Sequence, residues 1–417
     1  MRKAAYIATI SNSEPIEGKD RIRYFSLKDL GWKVIGAADL KIGQKVVYIE
    51  YDTIISEENQ WAEFLRKRCY SPKYRGFKIS AMSMAGKISY GLIITCEDIY
   101  STIQKWKQEN NSTSPAVQPE YLPDGYDLST ILNIKTIDDS IEFDSKQQNQ
   151  QPKMTKWQRF VKKYAYFIWK FFYYRKPESN AFPSQAAIKT DETRIQNLTY
   201  LFSDQYKDMP IYVTEKIDGS SATFSFYKNR FIISSRNVKQ YDQPIKKALK
   251  EIVSSNYMKF KNDFIDIACR YSIPLALQKF TKYFNCKGIT VQGELAGPGI
   301  QKNKLKLKTN VLFIFNVFDP DKRRYLNWGL IREFSNFSGI PMVPLKEITT
   351  FKWNNISELE DYVKENFENS VYPSDQPREG LVFRKYEDDI YLPNAENGMT
   401  GCFSFKVINP DFILNDN

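Results

Sequence analysis

Histidine is missing from this chain of 417 residues. Its absence excludes a Ser-His-Asp triad, an imidazole base and any His-ligated metal. Acid–base and metal chemistry must therefore run on carboxylates, lysines, arginines and tyrosines. Cysteine is sparse as well. The five residues Cys69, Cys96, Cys269, Cys286 and Cys402 are scattered and form no C-x-x-C pair. That pattern argues against a disulfide framework or zinc site, and for free thiols in a reducing, cytoplasmic setting. No uncharged apolar run is long enough to span a bilayer, and no signal peptide is visible, so a membrane role is not expected. No internal repeat is visible either.

What is present is ordinary in hydrophobic content, 42%, and in charged content, 26%. The balance of charge is not: the formal net charge is +11 and the sequence pI about 9.1. Such a surplus favours a polyanionic partner, nucleic acid or a membrane surface, over a merely basic enzyme. The length suggests two domains, each able to bury a core, and a monomer is expected.

Residues 1–140 read as a β-rich domain. Short strand-like runs at Ala4–Ile10, Ile22–Leu27, Trp32–Ile35 and Lys45–Ile49 are punctuated by Pro15, Gly18, Gly31 and Gly43. A further pair is expected at Phe77–Ile79 and Ile88–Thr95. Several short, closely spaced strands suggest a small barrel. An OB-fold fits if the partner is nucleic acid; a structural cap is the other reading. Arg66, Lys67, Arg68, Lys73, Arg75, Lys78 and Lys87 interleave with Tyr70, Tyr74 and Phe77. This mix suits backbone and stacking contacts, or a solvated basic loop.

Residues 141–181 read as a connector. Ser145–Pro152 is a polar, low-complexity linker. In Lys153–Lys176, Trp157, Phe160, Val161, Tyr164, Phe167, Ile168, Phe171 and Phe172 recur at helical spacing among lysines and Arg159. Such a basic aromatic helix could pack between domains, touch nucleic acid or lie on a membrane surface. Residues 182–417 alternate strands and helices as a single α+β domain. Thr190-Asp191 looks like the cap of a helix through Phe202, and helices are expected over Pro244–Val253 and Asp263–Phe284. Strands are expected at Ile289–Glu294, Val311–Val317, Gly380–Arg384 and Cys402–Val407.

One stretch organises this second half: Val213-Thr214-Glu215-Lys216-Ile217-Asp218-Gly219. A strand, a glycine-containing break and a second strand would hold Lys216 at the rim of a sheet. At a reference pKa of about 10.4, only roughly one lysine in a few thousand is neutral at pH 7. A nucleophilic Lys216 therefore needs desolvation or nearby cations. Later stretches offer partners: Ser235-Arg236, a guanidinium suited to phosphate; Gly293-Glu294-Leu295-Ala296-Gly297, a carboxylate before a Gly-Pro loop; Arg378-Glu379-Gly380, a second carboxylate; and Phe405-Lys406. Phe313 and Phe315 share one strand face, as core or as a surface for a purine.

Taken in order, Lys216-Ile217-Asp218-Gly219, Ser235-Arg236, Gly293-Glu294-Leu295-Ala296-Gly297, Phe313-Ile314-Phe315, Glu379-Gly380 and Phe405-Lys406 resemble the motifs of the covalent nucleotidyltransferases. These are the ATP-dependent DNA and RNA ligases and the mRNA capping enzymes. The run from Glu294 to Lys302 is most similar to nick-sealing RNA ligases. Pro15–Ile22, Gly31–Val34, Gly43–Glu50 and Gly86–Leu92 resemble the N-terminal OB domain of Deinococcus-type RNA ligases. Phe182-Pro183 and Lys189–Asn197 resemble the start of that family's catalytic domain. An OB domain in front, with no room for one after Lys406, favours this family over DNA ligases and capping enzymes.

The resemblance implies an N-terminal OB barrel followed by a nucleotidyltransferase domain, ATP-grasp-like, of antiparallel sheets with helices. It implies ATP and Mg2+ or Mn2+, and as partner a nicked RNA or RNA–DNA duplex with 3′-hydroxyl and 5′-phosphate ends. Lys216 would take AMP, Glu294 bind ribose and Phe315 stack on adenine. Glu215 and Arg384 would lie near the base, with Gly219 in the turn below. Asp218 and Glu379 would organise the metal, Lys406 would neutralise the α-phosphate, and Arg236 would serve the nucleotide or the 5′-phosphate. One position departs from the pattern. A second lysine is common two places after Lys406, and here that residue is Ile408. Arg384 or Arg236 is expected to supply the missing cation.

Overall fold

The computed structural model describes residues 3–110, 118–137, 180–190, 192–253, 262–366, 377–390 and 402–415. The polar linker and the basic aromatic segment of 153–176 lie outside these residues.

Every strand pair of the first module is antiparallel. Its larger sheet runs Leu92–Thr95, Lys45–Ile49, Ala5–Ile16, Lys19–Leu27, Lys33–Ala37, and its smaller one Ile134–Thr136, Thr53–Ser56, Gly76–Ile79, Tyr70–Ser71. Ala5–Ile16 is long enough to pair with Lys45–Ile49 through its first half and with Lys19–Leu27 through its second, which curls the sheet as an OB-fold requires. Lys45–Ile49 and Thr53–Ser56 are buried on both faces, so they show little polar alternation. Val47 and Ile49 enter a cluster with Ile55 and Phe77, while Val46 and Tyr48 enter another with Phe25 and Trp32. Phe77, read as a possible stacking ring, is a core residue. Arg66 instead covers Tyr70 and Phe77 from outside, 4.7 and 5.5 Å from their ring centres.

The second module holds two further sheets. A five-stranded sheet runs Thr193–Arg194, Ser404–Ile408, Gly380–Lys385, Pro210–Lys216, Leu345–Thr350; a seven-stranded sheet has Ser220–Tyr227, Ile289–Ala296 and Val311–Asp319 at its centre. Pro210–Lys216 belongs to the first and Ser220–Tyr227 to the second, so the Ile217–Gly219 turn carries the chain between them. Asp263–Arg270, Ile273–Tyr283 and Trp328–Ser338 contribute Ile267, Leu277, Phe280, Ile331 and Phe334 to the core on the outer face of the larger sheet. The expected single helix 263–284 is two, because Ser272 adopts a left-handed backbone (φ 48°).

The expected helix through Phe202 is not formed. Thr193–Arg194 pairs as a parallel strand with Phe405 and Lys406, and tight turns at Ile195–Asn197 and Thr199–Phe202 follow. The side chains explain this, because they are committed to the first module. Arg194 Nη2 donates to Asp52 at 2.7 Å, and its guanidinium lies 3.8 Å from the Tyr51 ring centre. Trp32 Nε1 donates to Asn197 Oδ1, Asn197 Nδ2 donates to Glu50 Oε1 at 3.0 Å, and Gly31 N donates to Gln196 O at 2.8 Å. From the far end of the chain, Ile408 and Ile413 join the Trp32 cluster. The two modules thus share apolar and polar contacts. Among the described residues, no helix is long and apolar enough to cross a membrane.

Candidate active site

Strand alternation decides which side chains meet between the two sheets. On Pro210–Lys216, Ile211 and Val213 point into the core of the five-stranded sheet, so Tyr212, Thr214 and Lys216 face the larger sheet. The registers Tyr212↔Arg384↔Ser404, Thr214↔Val382↔Lys406 and Lys216↔Gly380↔Ile408 arrange this face in three rows. Across the cleft, Glu294 is held on Ile289–Ala296 opposite Ser221. Gly219 lets the turn close on that strand. A Cβ there would stand 2.5 Å from Leu295 O and 2.9 Å from Glu294 Cγ.

Lys216 Nζ lies 2.7 Å from Glu379 Oε1, with the two side chains only 20% and 15% exposed. Burial works against the ammonium, but the carboxylates of Glu379, Glu294 and Glu192 outweigh it and hold Lys216 above its ordinary pKa. Burial, then the neighbouring carboxylates Glu379, Glu192 and Asp218, push Glu294 up to about 8 despite the pull of Lys216. Glu379 is also raised, chiefly by burial. For Glu192 burial is overcome by Arg384, Lys406 and Lys216, and its carboxyl sits below the ordinary value. Lys216, Glu294, Glu379 and Lys406, proposed from four separate stretches, form one coupled charge cluster.

The other expected residues divide. Asp218 is at the turn and pairs with Lys304 at 2.9 Å; Lys304 in turn sits 4.0 Å from the Phe412 ring centre. Arg384 is buried in the cleft, donating to Glu192 Oε1 at 2.6 Å and Thr214 Oγ1 at 3.3 Å, with its guanidinium 5.2 Å from the Phe315 ring centre. Phe315 packs with Ile217, Ala296, Leu305, Phe313 and Val343, and is 7% exposed. The Phe315 ring is therefore largely core, not an open stacking face. Arg236 follows the strand Arg230–Ser235, one place past Ser235, which lies level with Ala222 and Gly293 at the cleft rim. Glu215 is the correction. It alternates onto the opposite face, fully buried, where Arg378 at 3.3 Å and Lys346 at 3.8 Å neutralise it. Its carboxylate braces the strand from behind and does not reach a base in the cleft.

Two participants escaped sequence reading. Glu192 was absorbed into the expected helix, and Lys304 is one lysine among several in 302–308. No spacing rule singles out either, because each is defined by a partner far along the chain. Among the described residues, no three His, Cys, Asp or Glu side chains converge as a metal cage. Asp218 and Glu379 instead offer separate oxygen ligands, which suits a divalent ion that keeps most of its water.

Comparison with known proteins agrees with this layout. Residues 209–408 match the RNA ligase family model, and residues 4–96 match that of an OB-fold domain. No curated protein matches the sequence. Among solved structures, Naegleria gruberi RNA ligase with PPi aligns at a TM-score of 0.68 and 22% identity, covering 100% of this chain and 99% of that one. A lysine-to-alanine variant of that ligase, with ATP and Mn, gives 0.68 and 22% over 99% and 98% of the two chains. A lysine-to-methionine variant, with AMP and Mn, gives 0.68 and 21% over 99% of each. The fold is the same.

Proposed function

We propose, from an RNA ligase domain carried behind an OB-fold domain, that this protein is an ATP-dependent RNA ligase sealing nicks with 3′-hydroxyl and 5′-phosphate ends. Three modules serve this reading: residues 1–140 as the OB domain, 141–181 as connector and 182–417 as the catalytic domain. The observation that carries it is the buried amine of Lys216, 2.7 Å from Glu379 and coupled to Glu294 in a cleft between two sheets.

Lys216 Nζ attacks the α-phosphorus of ATP. A nitrogen–phosphorus bond forms, the bond to the pyrophosphate oxygen breaks, and pyrophosphate leaves. The amine must first lose a proton, and the ion pair with Glu379 Oε1 at 2.7 Å opposes that loss until the carboxylate is neutralised. The 5′-phosphate of the nick then displaces Lys216 from AMP, and finally the 3′-hydroxyl displaces AMP. Each step is in-line displacement at phosphorus, where positioning and charge neutralisation supply most of the acceleration. Lys406, two strands from Lys216 on the same cleft face, neutralises the α-phosphate, and Arg236 at the rim meets phosphate of nucleotide or nick. Glu294 takes a ribose hydroxyl, and the Phe315–Arg384 edge takes the purine. A divalent ion held by Asp218 and Glu379, Mg2+ or Mn2+, would neutralise the carboxylates that keep Lys216 protonated. The Naegleria gruberi RNA ligase of the same fold is solved with ATP and Mn, which supports that choice.

The test is transfer of label from α-labelled ATP to the chain, retained after denaturation. Wild type should be labelled and Lys216→Ala should not; equal labelling of both would sink the mechanism. Splinted nicks with an RNA or a DNA 3′ terminus then decide the acceptor, since only RNA presents a 2′-hydroxyl.

A further inference from the structure

Beyond the row that holds Lys216, the cleft continues. A cavity enclosing about 450 Å3, part of it open to solvent, is lined by Glu192, Tyr212, Asn316, Arg384 and Ser404 among others. The Tyr212–Arg384–Ser404 row lies four strand residues from Lys216, roughly 13 Å. A nucleotide lying along this face, phosphate at one end and base at the other, points toward that row. With the α-phosphate at Lys216, the edge of a purine opposite its sugar reaches this row.

The polar groups waiting there are unusual for a core. Arg384 and Ser404 are 6% and 7% exposed, and the buried atoms Arg384 Nε and Ser404 Oγ have no hydrogen-bond partner. Buried polar atoms without a partner beside a cavity mark places where a ligand completes the bonding. Three carboxylates line the cavity, Glu192, Glu387 and Asp389; Asp389 already accepts from Phe403 N at 2.6 Å, and Glu192 is the one that Arg384 contacts. Arg384 holds Glu192 Oε1 at 2.6 Å, which fixes its direction and keeps it anionic. A carboxylate has about four acceptor positions, so this contact leaves capacity for another donor.

We infer that Glu192, oriented by Arg384, is the residue that selects adenine. An ionised carboxylate only accepts hydrogen bonds. The C6 amine of adenine donates one, whereas the C6 carbonyl of guanine or hypoxanthine presents an acceptor and is repelled. The inference rests on the ligase reading, with ATP as the nucleotide entering at Lys216.

The experiment compares label transfer to the wild-type protein from ATP, ITP and purine riboside triphosphate, which has no C6 substituent. A bond to a charged acceptor predicts that ATP is favoured over purine riboside triphosphate by about tenfold to a hundredfold, and over ITP by more. In Glu192→Gln, whose amide can donate to a C6 carbonyl, the ATP:ITP ratio should fall by at least about tenfold. Use of purine riboside triphosphate within about threefold of ATP by wild type overturns the inference; so does an unchanged ATP:ITP ratio in a folded Glu192→Gln. If that variant does not fold, the wild-type comparison alone decides. Absence of label from every nucleotide is a different failure: it removes the ligase reading itself.

Discussion

At the scale of single residues, the cleft is a set of charges that would be costly apart and are tolerable together. Glu294 shows the cost. Its pKa of about 8 lies above the ordinary carboxylate value of 4.5. Between these values the folded protein binds more protons at this site than the unfolded chain, so stability falls as pH rises through that window. Glu294→Gln removes the penalty. Its melting temperature should match wild type near pH 5 and exceed it by several degrees at pH 8.5, at about 2–4 °C per kcal/mol for a domain of this size. Equal melting temperatures at pH 8.5 would show that Glu294 is not held in this way. The motif residues were legible because their chemistry is written into short strings: a lysine before Asp218-Gly219, a carboxylate before Gly380. Glu215 was not, since adjacent strand residues face opposite ways and a string of letters does not say which face is the cleft.

Among the elements, strands buried on both sides were the easiest to place. Ile289–Ala296 and Val311–Asp319 coincide closely with the expected runs because their β-branched and aromatic residues, Ile289 to Val291 and Phe313 to Phe315 among them, favour a buried strand. The failure at 190–202 has the opposite cause. Ile195, Leu198 and Leu201 do recur at helical spacing and are all fully buried, but the polar residues between them bond to the first module and override the local preference. Asn197 is the centre of this. Its replacement by alanine removes the bond that Trp32 Nε1 donates and one of those that the buried Glu50 accepts, a loss of about 1–3 kcal/mol. Urea unfolding should show a lower midpoint with an unchanged slope; an unchanged midpoint would mean that the seam does not stabilise the fold.

For the whole molecule, the departure at Ile408 acquires a reason. The residue lies in the Lys216 row of the cleft face, yet it is only 9% exposed and belongs to the apolar cluster of Trp32, Tyr48 and Tyr90 of the OB module. A lysine there would bury its charge in an aromatic cluster. Ile408→Lys should therefore cost about 2–4 kcal/mol in stability and give no faster labelling of Lys216, measured by thermal melting and label transfer. A stable variant with faster labelling would show instead that the position faces phosphate. The general outline, a β-rich module before an α+β module, could be read from the order of short strands and helices. How the modules meet could not, because a seam made by residues 31–52, 194–199 and 408–413 has no local signature.

That seam also bears on the order in which the protein can mature during synthesis. The strands of the OB module leave the ribosome first, yet Ile408 and Ile413 complete the apolar cluster around Trp32. For as long as the intervening residues are being made, that side of the first module faces water. A module translated before residue 408 is thus finished only after it, and a chain halted before residue 408 would carry an exposed aromatic surface prone to association.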